Sequence, residues 1–383
     1  MERLQRKLRF GQIGGGNGSF IGHVHRRAAL FDGLTEFAAG ALSSTAERSY
    51  ESGADLLLPA ERNYGDWREM LAAELGQPED ERLDYVCICT PNDAHFEPAL
   101  AFIEAGFNVI MDKPLVHTSE QAAKLVAAVE QTGVTFGITY NYTGYPMIKE
   151  AREWVRSGRL GTLRRVVVEY PQGWLGERLE AEGHKQASWR TDPARTGIAG
   201  AVGDIGTHCE SLMHYVTGLE IEALCAEVST FVEGRAVDDD ASVLLRLSNG
   251  ATGILWVSQV CTGEGNGLNI RVYGTEGSLH WNQENPFELV HRAASGPVQI
   301  FRRGDSATAR RGSRLPAGLE EAYFEAFANI YMNYSDTIRA RLLGREPTAL
   351  ELDFPTVYDG ARGVRFIERV IESGRQGAAW TNF

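Results

Sequence analysis

No apolar run in the 383 residues approaches the roughly 20 that a helix needs to cross a bilayer. The charged stretch Met1 to Arg9 holds no apolar core of the kind a secretory leader carries, so none is expected ahead of the first strand. Cysteine is scarce, five residues without framework spacing, which argues against a disulfide scaffold and points to a reducing compartment, the cytoplasm. Basic residues are outnumbered: 38 Lys and Arg face 51 Asp and Glu, for a formal net charge of −13. Nucleic acid and anionic membrane repel such a chain, so neither is an expected partner. No internal repeat is visible. What is present is an ordinary globular composition, 43% hydrophobic and 23% charged, long enough for two domains.

Short apolar runs alternate with helical patterns through the first 140 residues, as they do in βαβ units with a parallel sheet. Strands are expected at Leu8 to Ile13, Glu36 to Leu42, Tyr85 to Cys89, Asn108 to Met111 and Thr135 to Thr139. The helices between them stop at Gly106 and Gly133, and Thr118 with Gln121 suggests a capping box. After residue 140 the rhythm changes. Pro146 opens a helix, and alternating strands such as Val243, Leu245, Leu247 and Leu268, Ile270, Val272 indicate an antiparallel sheet. Two long amphipathic helices follow, one through Tyr323, Phe327, Ile330, Tyr334, Ile338 and Leu342, the other through Val357, Ala361, Val364, Ile367 and Ile371. The Arg-, Ser- and Gly-rich stretch from Arg302 to Pro316 is expected as a solvated loop.

The first chemical signal is the turn after the first strand. Gly14, Gly16, Asn17, Gly18 and Ser19 precede a helix that begins near Phe20 and Ile21. Glycines here let the chain turn tightly and aim helical N–H groups at a pyrophosphate. The strict G-x-G-x-x-G spacing is not met, because Ser19 holds the sixth position and the closing glycine comes at Gly22. Place rather than pattern carries the reading: a strand precedes the turn and a helix follows it. The end of the second strand offers no carboxylate for a ribose 2′-OH but has Ser43, Ser44, Thr45 and Arg48, which suit a 2′-phosphate and also tolerate a free ribose. The cofactor is therefore NAD or NADP.

The glycine turn, Asp112-Lys113-Pro114 and Gly203-Asp204-Ile205-Gly206-Thr207-His208 together resemble the Gfo/Idh/MocA oxidoreductase family, which takes in glucose–fructose oxidoreductase and inositol dehydrogenases. Thr90-Pro91-Asn92 with His95, and Asn141 to Pro146, extend the likeness over nearly the whole chain. The resemblance implies an α/β protein: a Rossmann domain with a doubly wound parallel sheet over residues 1–140, then a C-terminal α/β domain with a large, mostly antiparallel sheet over 141–383. The second domain would bind substrate and build a homodimer or homotetramer, its last helices packing back on the first. A Glu-Lys-Pro motif supplies the family's catalytic lysine. Asp112 stands in place of the glutamate, and the role carries to Lys113. The family's Asp-x-x-x-His motif falls on Asp204 and His208, and substrate-lining stretches fall on Tyr142, Tyr170, Trp189 and Arg190, with Lys185 and Gln186 as weaker candidates.

The residue types suit hydride chemistry. Ligands of doubly wound sheets sit beyond the C-terminal strand ends, where Thr90-Pro91-Asn92 and Lys113-Pro114 lie. A lysine there can hold charge beside a developing alkoxide. If residues 204–217 form one helix, Asp204, His208, Ser211 and Tyr215 share a polar stripe and Ile205, Cys209, Leu212 and Val216 an apolar one. The imidazole would take the hydroxyl proton of a secondary alcohol as hydride departs, with Asp204 orienting it and Lys113 steadying the oxyanion. The expected substrate is a sugar, sugar derivative or cyclitol. Two other readings stay open: an NAD-dependent redox glycoside hydrolase, which consumes no net nucleotide, and a non-catalytic NAD(P)-binding regulator. No metal site is expected. Cys87 and Cys89 lie in an apolar strand, the rings of His23 and His25 point to different sides of a helix, and Asp238-Asp239-Asp240 lacks calcium-loop spacing and reads as a solvated turn.

Overall fold

Apolar runs bounded by glycine turns become strands where both faces can be covered, and the first half of the chain follows that rule. The computed structural model describes residues 4–316 and 318–383. Met1, Glu2 and Arg3 of the charged N-terminal stretch lie outside the described residues. Two compact units are formed, one from Met1–Val116, Glu120–Gly144 and Tyr323–Ala361, the other from His117–Ser119, Tyr145–Ala322 and Arg362–Phe383.

In chain order the elements begin β1 (Leu8–Ile13), α1 (Phe20–Leu30), β2 (Thr35–Ala41), α2 (Ala46–Asp55), α3 (Trp67–Gly76), β3 (Tyr85–Ile88), α4 (Phe96–Glu104), β4 (Asn108–Met111), α5 (Ser119–Thr132) and β5 (Phe136–Ile138). There follow α6 (Pro146–Arg156), β6 (Leu163–Pro171), α7 (Lys185–Arg190), α8 (Pro193–Thr196), α9 (Thr207–Thr217), β7 (Ile221–Ser229), β8 (Asp240–Leu247) and β9 (Thr252–Ser258). The last are β10 (Asn269–Gly274), β11 (Gly277–Asn282), β12 (Asn285–Ala293), β13 (Val298–Phe301), α10 (Ala307–Arg311), α11 (Tyr323–Leu342), α12 (Val357–Arg375) and β14 (Thr381–Asn382).

In the first unit, the strands of the described residues form a parallel five-stranded sheet of order β2-β1-β3-β4-β5. Tyr85, Val86, Cys87 and Ile88 of β3 are all 0% exposed, as a strand covered on both faces requires. Burying one such side chain stabilises the fold by about 1.5–3 kcal/mol. The core joins Leu8, Phe10, Val24 and Ile110 to Phe327, Ile330, Tyr331, Tyr334 and Ile338 of α11, so the expected stripe of that helix belongs to this unit except for Leu342, which is exposed where the helix ends. Cys87 packs there with its Sγ 3.1 Å from the Tyr331 hydroxyl, which lies 2.7 Å from Nδ1 of buried His25. His23, two residues before it, is exposed.

In the second unit the described strands form a nine-stranded sheet, β13-β12-β11-β10-β6-β9-β8-β7-β14, antiparallel except for β6 beside β9. Period-two alternation is strict in β8: Ala241, Val243, Leu245 and Leu247 are buried while Ser242, Leu244 and Arg246 are exposed. Ser248-Asn249-Gly250 turns β8 into β9 with Gly250 at φ +80°, a conformation glycine adopts without strain.

Two expectations need correction here. The Arg302–Pro316 stretch is not simply a solvated loop: it contains α10, capped by the Ser306 hydroxyl, and the Ser306 N–H donates to buried Glu150 on α6 at 2.9 Å. Asp238-Asp239-Asp240 is not a solvated turn either, since Asp238 and Asp239 are 6% and 1% exposed. The Asp238 carboxylate accepts from the Gly200 and Val202 N–H groups of a distant segment, and that of Asp239 from the Phe231 and Val232 N–H groups of the preceding loop, a demand that the spacing of residues does not display. Among the described residues no helix is long and apolar enough to cross a membrane.

Candidate active site

Strand order places the crevice of a doubly wound sheet where successive connections leave in opposite directions, here between β1 and β3. The glycine turn sits at that point. Its Gly14 and Gly16 N–H groups donate to Ala41 and Leu42 at the end of β2, at 2.8 and 2.9 Å. Gly14 adopts φ +75°, and a Cβ on it would lie 2.7 Å from Thr90 Cγ2, so the turn rests directly on the segment after β3. Gly22, the late closing glycine, lets α1 approach: a Cβ there would meet the Gly15 Cα at 2.3 Å. Ser19 caps α1, its hydroxyl accepting from the Gly22 N–H at 3.2 Å. Phe20 is exposed at the first helical position, with Ile21 half-buried behind it. The Asn17 N–H donates to Ser52, its side chain to Asp55, and Gly18 adopts φ +75°. A turn stripped of side chains before a capped helix fits a dinucleotide pyrophosphate.

The other residues expected around a cofactor lie at the same sheet edge. Ser43 is half-buried after β2, with Ser44 and Arg48 exposed. Thr90, Pro91 and Asn92 follow β3, and Asp112 and Lys113 follow β4. Asp112 Oδ1 accepts from the Lys113 N–H at 2.9 Å and the Thr139 hydroxyl at 3.1 Å, which fixes the backbone of the lysine turn. Asn141, after β5, is 2% exposed, and its Nδ2 has no hydrogen-bond partner among the described residues. Tyr142, beside it, is nearly buried.

His95 departs from expectation. It is 0% exposed and presents no surface to a ligand. Its ring nitrogens lie 2.9 Å from the Pro114 oxygen and 3.0 Å from the Thr90 oxygen, so it ties the β3 and β4 turns together. Burial lowers its pKa against the pull of Asp112 and those carbonyls.

The second unit gathers another polar group. The segment carrying Asp204 is not the start of a regular α-helix: Val202–Gly206 is a π-turn, closed by a Thr207 N–H to Val202 oxygen bond, and α9 begins after it. The extra residue breaks the uniform 100° spacing on which the polar stripe was expected. Ile205, Cys209, Leu212 and Val216 are buried as the apolar stripe predicts, but Ser211 is buried too. Tyr215 meets α6, with Lys149 Nζ 3.3 Å from its hydroxyl and Arg152 4.3 Å from its ring centroid, so the polar line runs into a helix interface.

Asp204 Oδ2 accepts from Gln259 Nε2 at 2.9 Å and from Arg190 Nε at 3.3 Å. Arg190 also donates to Gln186 Oε1 at 2.5 Å and stacks on Trp189, its guanidinium 4.2 Å from the ring centroid. Lys185, one position before Gln186, is exposed. His208 is 8% exposed, with its ring centroid 6.3 Å from that of Tyr170. The Tyr170 hydroxyl donates to Asn266 Oδ1 at 2.7 Å, as does Gln172 Nε2, and Trp174 Nε1 donates to Gln172 at 3.1 Å. Gln172, Trp174, Gln259 and Asn266 were not anticipated, because amides on strand ends and loops follow no spacing that a single sequence reveals. Among the described residues no cluster of three His, Cys, Asp or Glu could hold a metal.

Comparison with known proteins agrees with this layout. Residues 8–140 match the oxidoreductase family with an NAD-binding Rossmann fold, and residues 148–280 match the GFO/IDH/MocA C-terminal domain. The uncharacterized oxidoreductase YfiI of Bacillus subtilis (strain 168) is 33% identical, over 99% of this chain and 98% of its own length. Levoglucosan dehydrogenase of Pseudarthrobacter phenanthrenivorans is 29% identical over 78% of each chain. The crystal structure of an inositol dehydrogenase homolog from Azotobacter vinelandii, complexed with NAD+, has a TM-score of 0.94 at 33% identity, covering 100% of this chain and 99% of that one. A glycine turn at a sheet switch point, a lysine turn after β4 and an Asp-x-x-x-His helix in the second unit thus stand in a chain that belongs to the Gfo/Idh/MocA oxidoreductases, a family with an NAD-binding Rossmann fold.

Proposed function

We propose that the protein oxidises a secondary alcohol of a sugar, sugar derivative or cyclitol, or reduces the matching ketone, with NAD or NADP. The observation that carries this reading is the carboxylate–amide–guanidinium group of Asp204, Gln259 and Arg190 just before His208. The names of its relatives, a levoglucosan dehydrogenase and an inositol dehydrogenase homolog, support the substrate class. Residues 1–140, with Tyr323–Ala361 packed back on them, form the nucleotide-binding domain, and the rest of 141–383 the substrate domain. When bound, the nicotinamide supplies the carbon that accepts or returns hydride. His208 takes the hydroxyl proton, since imidazole ordinarily titrates near neutrality. Lys113 holds charge on the oxygen as the C–H bond breaks. Asp204, charge-paired with Arg190, sets the field beside the imidazole, and Arg190, Trp189, Tyr142 and Tyr170 contact substrate hydroxyls and ring faces.

The glycine turn, Asn17 to Ile21, Ser43, Ser44, Arg48, Thr90 to Asn92, Asp112 and Asn141 surround the dinucleotide, with the orphaned Asn141 amide available to a carboxamide acceptor. His95 acts through the turns that it joins. Gly16→Ala tests the cradle: its Cβ would lie 2.7 Å from the Leu42 backbone oxygen, so the turn must shift. Nucleotide affinity should fall about tenfold, or about 1.4 kcal/mol by titration calorimetry, and an unchanged affinity would remove the turn from the site.

The protein works in the cytoplasm as a homodimer or homotetramer through the outer face of the large sheet. That face carries exposed Leu244 and Tyr273 and half-buried Val167, Ile254 and Trp256. The function is tested by extracting nucleotide from purified protein and then following reduced-nicotinamide absorbance over a panel of polyols and sugars. Stoichiometric reduction on a polyol or sugar is expected. A chain that binds nucleotide and transfers no hydride across the panel would refute the proposal.

A further inference from the structure

Asp238 closes the start of the helix that carries Asp204 and His208. Its Oδ1 accepts from the Gly200 N–H at 2.7 Å and its Oδ2 from the Val202 N–H at 2.8 Å. Its main-chain oxygen accepts from the Ala201 N–H at 3.0 Å. Three successive donors of the kind that a helix start leaves unpaired are therefore satisfied by one distant residue. The fit is close: a Cβ on Gly200 would lie 2.2 Å from the Asp238 backbone oxygen. Asp239 continues the connection. Its main-chain oxygen accepts from the Gln259 N–H at 2.8 Å, and the Gln259 side chain donates to Asp204 at 2.9 Å. One dipeptide thus reaches Asp204 twice, through the backbone of the helix and through Gln259.

We propose that Asp238 is a positioning residue for the Asp204–His208 pair, its carboxylate pinning the π-turn on which Asp204 sits. The proposal rests on the roles assigned to those two residues above. A π-turn is an uncommon geometry held by its surroundings. If the clamp is lost, the turn can close as an ordinary α-turn, which rotates the residues before Thr207 by about 100° relative to those after it. Asp204 would then leave Gln259 and Arg190, and His208 would lose its fixed relation to them.

The clamp is also sensitive to protonation. Burial raises the Asp238 carboxyl to about 6, with the backbone donors of Val202 and Gly200 opposing and the Asp239 charge adding to the rise. Asp239 is itself paired with Arg235 at 3.2 Å, and the helix that Asp238 clamps carries the acidic Asp204 and Glu210, the latter paired with Arg362 at 2.6 Å. Because the folded value exceeds the unfolded one, ionising Asp238 costs stability as pH rises through about 6. Below that value the carboxyl takes a proton more readily in the closed clamp than in water, so falling pH disfavours its opening.

The test compares Asp238→Asn with Asp239→Asn in the full-length protein with histidine labelled, the His208 resonance being assigned by its loss in His208→Asn. Asp238→Asn is expected to displace the His208 resonance and its titration, and to lower kcat roughly 10- to 100-fold with nucleotide affinity unchanged. Asp239→Asn should lower the melting temperature yet leave the His208 titration in place. A folded Asp238→Asn protein with wild-type His208 titration and kcat overturns the proposal, and so does an equal displacement in both variants. Should Asp238→Asn fail to fold, the wild-type chain decides. Hydrogen exchange of the 200–206 segment, corrected for intrinsic rates, should slow as pH falls below about 6, because opening then exposes a carboxyl that the closed clamp holds protonated, and pH-independent protection overturns the clamp. The spectral and exchange measurements need no turnover, so failure to find a substrate would count against the proposed function and leave this inference standing.

Discussion

Replacing His208 by alanine is expected to lower turnover by about 10²–10⁴-fold on the best sugar or polyol substrate, the range over which a positioned general base contributes. The imidazole is 8% exposed, stands beside the Tyr170 ring and follows directly on the π-turn that carries Asp204. Removing it deletes the proposed proton acceptor and leaves the glycine turn of the other unit untouched. Nucleotide affinity should therefore stay at the wild-type value while kcat falls. The limb of the pH–rate profile that reports base ionisation should vanish with it. Lys113→Met should also be slow, and the double variant should lose less than the product of the two single losses, because groups that serve one step act as a unit. Wild-type turnover in His208→Ala, measured by steady-state kinetics, would end the assignment.

Arg235→Leu is expected to destabilise the protein by about 3–5 kcal/mol, the usual cost of removing one partner from a buried ion pair. The Arg235 side chain is 1% exposed. It binds Glu180 at 3.0 and 3.2 Å, Asp239 at 3.2 Å, and the Leu175 and Glu177 oxygens at 3.0 and 3.1 Å. Leucine fills part of the volume but leaves two carboxylates and two carbonyl oxygens without these donors. The loss should be smaller in acid. Although burial opposes its charge, the Arg235 hydrogen bond holds the Glu180 carboxyl below its ordinary value. That contribution is present above the unfolded carboxylate range and fades as pH falls through the lowered folded value. Urea unfolding of both proteins across this range checks the sign, and a neutral-pH difference under about 1 kcal/mol, the exposed-pair level, would show that the guanidinium is better solvated than its burial implies.

Both predictions draw on contacts of different legibility. The strands of the first unit are written locally: Asn108–Met111 and Leu8–Ile13 run between the same residues in sequence and structure, because an apolar run bounded by turn formers has few other places to go. The glycine turn was legible from its place after a strand, and the late Gly22 finds its reason in contact with Gly15. Asp204 and His208 were legible as a spaced pair. The turn between them was not, because no periodicity announces a π-turn. Gln259 is 55 residues from Asp204 in sequence, and Asp238 is 36 from Val202, so neither falls in any window over which spacing carries information.

The sequence by itself determined the α/β class, the nucleotide turn, the lysine turn and the helix with its histidine, since each depends on short-range rules of backbone conformation and apolar spacing. The tertiary structure alone decided how buried polar groups are satisfied. It turned the aspartate run from a solvated turn into a clamp and drew His95 inward to join two turns. It also made Gln259 and Arg190 the partners of Asp204. The reason is the demand that buried donors and acceptors be paired, which is met by whichever residues the fold brings near, at any distance along the chain.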